Sequence, residues 1–399
     1  MALEGIKVLD LSRVLAGPFS TQILGDLGAD IIKVERPGVG DDTRHWGPPF
    51  TSSQTAAYYT CANRNKRSIT LDLKQEKAKA VIKGLAARSD IVVENYRVGE
   101  LDKLGLGYKD LSAINPGIIY CSITGFGQNG PRASQPGYDF LIQAMGGLMS
   151  ITGNPESEGV KVGVAVTDLF TGMWAAVAIL AALQFRRETG KGQHIDLALF
   201  DCQLSMLANV ASNWFVSARR PLRFGNSHPN IVPYQTFSSA DASFALAVGN
   251  DRQFKALCQE LGKVSIAEDE RFKTNSARVA NRQECVKVLQ QIFATLTTDE
   301  VLQICERAGV PAGRINNVDE AFTDLQAEAR EMVVKQLVPM DHCVESEEVL
   351  TVGSPLKFSE SVVTYRQAPP RLGQHTREVL TELGYNNEEI DLMYRNGIL

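Results

Sequence analysis

The sequence predicts an α/β protein with two parts, a large domain on a doubly wound, mostly parallel sheet and a smaller α+β domain. Three observations carry that expectation. Short β-branched runs alternate with helical patterns through the first 215 residues, the rhythm of βαβ units. A segment rich in Pro, Gly and Asn, RRPLRFGNSHPNIVPY, begins at Arg219 and marks a boundary. The length of 399 residues exceeds the roughly 250 to 300 that one core organises.

In chain order, Ile6 to Leu11 reads as the first strand. A helix follows from about Pro18, suited to a first helical turn, to Gly28, suited to a C-cap. Ile31 to Glu35 is the second strand. The pattern continues with a helix over about Gln75 to Ala87, strands at Ile91 to Tyr96 and Gly117 to Ile123, and a helix over about Phe140 to Met149. The run Val162 to Val166 reads as strand-like and leads into a helix from Leu169 to Arg187. Gln193 to Leu199 is a further strand, and a long helix begins near Asp201. Beyond the boundary, Tyr234 to Val248 reads as a hairpin and Asp251 to Met332 as nearly all helix. Two β-like stretches, Val334 to Val338 and Val349 to Phe358, and a helix over about Thr376 to Leu383 finish the chain. The domains expected are therefore 1–215, completed by 335–399, and a mostly helical 225–330 with its hairpin.

Hydrophobic residues make up 44% and charged residues 22%, a globular composition that leaves little room for disorder. Lys and Arg number 41 against 46 Asp and Glu, a formal charge of -5 without long runs of one sign. Nucleic acid is not an expected partner. The seven cysteines are scattered, without a C-x-x-C pair, which points to a reducing, cytoplasmic compartment and no zinc site. The opening residues do not read as a transit peptide. The most apolar run, Met173 to Phe185, is shorter than the ~18 residues a bilayer span needs, so no membrane is expected.

Four motifs bear on chemistry. GFGQNG (Gly125 to Gly130) matches the dinucleotide fingerprint, but Pro131 and Pro136 follow where a helix must open. A glycine-rich loop lining a pocket fits better. Arg36 follows the second strand and can fork onto a phosphate. The run Arg219, Arg220, Arg223 reads as a solvated face. Asp168 stands between VGVAV and an apolar helix, where an aspartate commonly caps the helix. The same place suits an ionised nucleophile, because helix ends favour negative charge and α/β sheets bind ligands at strand carboxyl ends. No G-x-S-x-G elbow or H-E-x-x-H set is present, which leaves hydrolase and metal readings weak.

The segments LDLSRVLAGPF, NRNKRSITLDLK, VENYRVGELDKLGLGY, YCSITGFGQNGP, VTDLFTG, RRETGKGQHIDLALFD and LGQHTREVL, taken in order, resemble the class III CoA transferases (the CaiB/BaiF family) across nearly the whole chain. The resemblance implies a Rossmann-like large domain, an interlocked homodimer and an aspartate that carries the acyl group, here Asp168. It implies CoA contacts at Leu15, Ala16, Arg36, Leu71, Lys74, Asn95, Tyr96, Arg97 and Lys103. Tyr138, His228 and Gly249 are the implied substrate-pocket residues, with AVGND a shorter glycine run than is usual in the family. Within it the likeness is greatest to members that pass CoA from succinyl-CoA to a dicarboxylate such as glutarate. Coenzyme A and acyl-CoA are then substrates, with small carboxylates as acceptors, and no tightly bound cofactor or metal is implied. The α-methylacyl-CoA racemases resemble the chain in plan, but Tyr138 stands where they supply a histidine base, and a phenol near pKa ~10 is a poor base. A non-catalytic CoA-binding protein is the remaining alternative.

Overall fold

The computed structural model describes residues 1–338 and 347–399, and His342 and Cys343 lie outside the described residues. The chain divides into two compact units, one of residues 1–148, 162–212 and 325–399, the other of 149–161 and 213–324.

The first unit is built on six strands: β1 (Lys7–Asp10), β2 (Asp30–Glu35), β3 (Lys66–Thr70), β4 (Ile91–Glu94), β5 (Ile119–Thr124) and β6 (Gln193–Ala198). They lie in the order β3-β2-β1-β4-β5-β6, and every pairing is parallel. Parallel strands need crossover helices, so both faces are covered and the strands are rich in Val and Ile. On one face Leu9, Ile69, Val92 and Tyr120 pack with Val81, Ile82 and Leu85 of the Glu76–Ala87 helix and with Val379 and Leu380 of the Thr376–Leu383 helix. On the other, Val8, Ile31, Val93 and Cys121 meet Leu24 of the Ala16–Asp26 helix and Ala175, Ile179 and Ala182 of the Val166–Thr189 helix. The strand order reverses between β1 and β4, which opens a crevice at their carboxyl ends.

Several elements of this unit differ from the sequence expectation. Strand β3 was unforeseen, because Lys66 and Arg67 look like surface residues. In the fold Lys66 is wholly buried against Asp10, and Arg67 is paired with Asp30, Glu378 and Glu382. Val162 to Val166 forms no strand; β-branched residues there lead straight into a helix that starts at Val166. The long helix near Asp201 is two, Leu199–Met206 and Ala208–Ser217, broken where Ala208 takes φ +40°. The 24-residue Val166–Thr189 helix is itself long and apolar enough to cross a membrane by length and composition, and 39% of its most apolar stretch is buried.

Two more strands of this unit, β10 (Val333–Val338) and β11 (Glu347–Val352), pair antiparallel. The second unit carries β7 (Tyr234–Ser238), β8 (Ser243–Ala247) and β9 (Ala312–Arg314) as an antiparallel sheet in that order. Its third strand interrupts a segment that the sequence reads as helical. Phe237, Phe244, Phe254, Leu257, Leu289 and Phe293 form its core.

Candidate active site

Two cavities open along the carboxyl edge of the six-stranded sheet, and Arg13 and Tyr96 line both. The first, about 360 Å³, lies beyond β2 and β3 and is lined by Arg36, Leu71, Lys74 and Tyr96. The second, about 390 Å³, lies at the switch point and is lined by Leu15, Ala16, Asn95, Tyr96, Arg97, Tyr138 and Asp168. Ten of the residues singled out in the sequence thus share two adjoining cavities of ligand-pocket size (~300 to 1,000 Å³). Lys103 lines neither; it is exposed on the short Glu100–Lys103 helix. His228 and Gly249 belong to the second unit. His228 accepts the Asn230 N–H through Nδ1 at 3.0 Å, and the Gly249 N–H donates to Gln253 Oε1 at 2.9 Å.

The walls follow from strand ends. After β4, Asn95 grips the turn that follows β1: its Oδ1 accepts the Arg13 N–H at 2.9 Å and its Nδ2 donates to the Arg13 carbonyl at 2.7 Å. The helix that begins at Ala16 has no side-chain cap, so its first turn leaves amide groups with no intrahelical partner. That turn lies against the helix bearing Asp168. A Cβ on Gly172, one turn after Asp168, would come within 2.7 Å of the Ala16 carbonyl oxygen. Glycine there lets the two helices approach this closely.

Asp168 does not cap its helix. Ala165 occupies the N-cap position and no side chain caps this end, so Asp168 is the third helical residue. Nor is it held firmly ionised, as a helix end alone would suggest. Burial and the neighbouring negative charge of Asp139 push its carboxyl up to about 7, outweighing the favourable dipole. The Leu169 N–H is taken by the Ala165 carbonyl at 3.1 Å, so it is not free to stabilise an oxyanion.

Asp139 went unnoticed in the sequence because Gly137-Tyr138-Asp139 drew notice only for its tyrosine. It stands at the start of the Asp139–Met145 helix. Its carboxylate accepts the Thr167 N–H at 2.8 Å and the Gln143 Nε2 donor at 2.7 Å. Thr167 in turn donates its hydroxyl to Gln203 at 2.6 Å. Tyr58 was also missed. Burial, then the charges of Asp168, Cys61 and Asp139, push its phenol up to about 12, so it stays a protonated donor at neutral pH. Asp139 lies in the GYDF segment (137–140) and Tyr58 in no motif singled out in the sequence; only the fold brings them near Asp168.

The glycines of GFGQNG have another use than a pyrophosphate. A Cβ on Gly125 would lie 2.6 Å from the Gly137 Cα, so two backbones cross in contact at the cavity wall. Gly127 and Gly130 take left-handed φ of +86° and +89°, which other residues adopt at a cost. No helix opens until Asp139.

This arrangement combines cationic side chains at one end, Arg13, Arg36 and Lys74, with a carboxyl poised near neutrality at the other. The first suits phosphate groups; the second suits a nucleophile toward an activated acyl carbon. Among the described residues no group of three or more His, Cys, Asp or Glu could hold a metal.

Comparison with known proteins gives one answer. The profile of CoA-transferase family III matches residues 3–376. The chain is 47% identical over 386 residues to the succinate–glutarate CoA-transferase of Agrobacterium fabrum, covering 96% of this chain and 95% of that protein. It is 43% identical over 398 residues to the succinyl-CoA:glutarate CoA-transferase of Homo sapiens, covering 100% and 90%. Among solved structures, a CAIB/BAIF family protein from Brucella suis superposes with a TM-score of 0.83 at 48% identity, covering 96% and 99%.

Proposed function

Since this chain belongs to CoA-transferase family III, we propose that it moves CoA between succinyl-CoA and glutarate, with Asp168 as the residue that carries the acyl group. The observation that carries the assignment of Asp168 is its place: a half-buried carboxyl, poised near neutrality, on the wall of the switch-point cavity. The CoA nucleotide occupies the cavity beside Arg36, Leu71 and Lys74, with Lys103 at its rim. The thioester reaches past Leu15, Ala16, Asn95, Tyr96 and Arg97 to Asp168, and Tyr138 serves the acyl group.

The Asp168 carboxylate attacks the thioester carbonyl, and CoA leaves as thiolate from an acyl-aspartyl anhydride. The thiolate returns to the Asp168 acyl carbon, which gives an aspartyl-CoA thioester and frees succinate. Glutarate attacks that thioester to form a glutaryl-aspartyl anhydride. Attack of the thiolate on the glutaryl carbon then yields glutaryl-CoA and restores the carboxylate. No proton is gained or lost over the cycle, so the ionised form of Asp168 is what catalysis requires. Backbone N–H groups of the Gly125 to Gly137 wall meet the oxyanions.

A homodimer with interlocked chains completes the reading. Met173, Trp174, Val177, Leu180 and Phe185 of the Val166–Thr189 helix are all more than a third exposed, an apolar face that a second copy covers. The six described cysteines are free, in keeping with a reducing cytoplasm.

The test is conversion of succinyl-CoA and glutarate to glutaryl-CoA by the purified protein. Exchange of the α-hydrogen of a 2-methylacyl-CoA without change of carboxylate partner would instead favour a racemase.

A further inference from the structure

The turn between β1 and the Ala16–Asp26 helix holds a valine in a conformation that valine avoids. Val14 has φ +70°, the left-handed region, where a β-branched residue is a strained outlier. Such strain persists only where the surroundings over-determine it. Here the surroundings are a buried charge cluster that touches the turn at successive residues. The Val14 N–H points between both carboxylate oxygens of Asp41, at 3.2 Å each. The Ser12 carbonyl accepts from Lys33 Nζ at 2.9 Å, and the same Nζ lies 2.9 Å from Asp41 Oδ2. Neither the Lys33 nor the Asp41 side chain is exposed at all. Thr43 fixes the other carboxylate oxygen through its N–H at 3.0 Å and its hydroxyl at 2.8 Å.

We propose that Asp41 is a positioning residue for acyl-CoA: it holds Val14 left-handed and so presents the Leu15–Ala16 turn, with its uncapped helix amides, to the thioester end of the substrate. The inference rests on the function proposed above. A plain structural brace would not need a strained valine, since a relaxed turn packs as well. The strain sits at Val14, which lines the switch-point cavity with Leu15 and Ala16, while Lys33 and Asp41 border the adjoining cavity with side chains that are not exposed. Burial opposes both charges, but each partner's attraction prevails: the Asp41 carboxyl is held below, and the Lys33 ammonium above, its ordinary range. Asp41 therefore remains a full acceptor for the Val14 amide under assay conditions.

The test pairs steady-state kinetics in succinyl-CoA with calorimetric binding of CoA. Asp41→Asn raises the KM for succinyl-CoA and the Kd for CoA by about tenfold or more, the scale of a lost left-handed constraint, while kcat stays within about threefold. Adding Val14→Gly recovers most of that affinity, because glycine takes φ +70° unaided. Should Asp41→Asn fail to fold, Val14→Pro keeps the Lys33–Asp41 pair but removes the N–H and forbids the conformation; it carries the same expected rise. A folded Asp41→Asn or Val14→Pro protein that binds CoA as tightly as wild type overturns the proposal, as does equal loss of affinity with and without Val14→Gly. A wild-type protein that binds CoA but transfers nothing would sink the proposed function instead, leaving the CoA Kd as the measure of the turn.

Discussion

Asp139 and Asp168 are joined through one backbone amide: Asp139 accepts the N–H of Thr167, the residue before Asp168, at 2.8 Å. The bond brings a second negative charge to the Asp168 carboxyl, which burial and that charge together raise to about 7. The same contact that orders the start of the Asp168 helix thus adds to burial in raising the pH at which Asp168 ionises.

The pH profile follows from the sign of that shift. In the proposed mechanism only the ionised carboxyl attacks the thioester, so kcat/KM is expected to rise with pH through about 7 in the wild-type enzyme. Asp139→Asn removes the neighbouring charge and moves this limb to lower pH. A limb unmoved by the substitution would mean that burial alone sets the value.

Stability carries the opposite sign. Because the folded-state value of Asp168 lies above its ordinary 3.8, the stabilising contribution is full below about 4 and is lost as pH rises through about 7. Asp168→Asn mimics the protonated form. Its melting temperature should exceed that of wild type by a few degrees at pH 8, with the gap closing as the pH falls toward 4.

Lys66 forms its direct ion pair with Asp10. Burial pulls its ammonium down to about 8 despite Asp10 at 3.1 Å. Asp10→Ala strands the lysine and should cost about 3 to 5 kcal/mol, the penalty of a half-broken buried pair, read by urea denaturation at pH 7.

Gly172→Ala tests the helix contact. The added Cβ meets the Ala16 carbonyl at 2.7 Å, so the turn after β1 must move away from Asp168. A loss of about 1 to 3 kcal/mol in stability, with a fall in kcat/KM for succinyl-CoA, is the expected result in parallel thermal and kinetic measurements.

How legible these features were in the sequence depends on the range of the forces that make them. The strands β1, β2, β4 and β5 and the Ala16–Asp26 and Glu76–Ala87 helices announce themselves because each buries its own apolar face. β3 did not, since Lys66 and Arg67 are neutralised by partners that include Asp10, Glu378 and Glu382, far away along the chain. Asp168 and the sequence-predicted residues that line the two cavities stood in motifs. Asp139, Tyr58 and Asp41 act by proximity that only the folded sheet creates. The N-cap reading of Asp168 failed for a local reason: the helix begins two residues earlier, at Val166, in a β-branched run that reads as strand.

The most direct measurement is a trap of the acyl-enzyme. Incubated with succinyl-CoA and then hydroxylamine, the protein should yield a hydroxamate that peptide mass mapping places on Asp168, and Asp168→Ala should yield none while still binding CoA. A hydroxamate on another residue, or full CoA transfer by Asp168→Ala, would contradict the assignment.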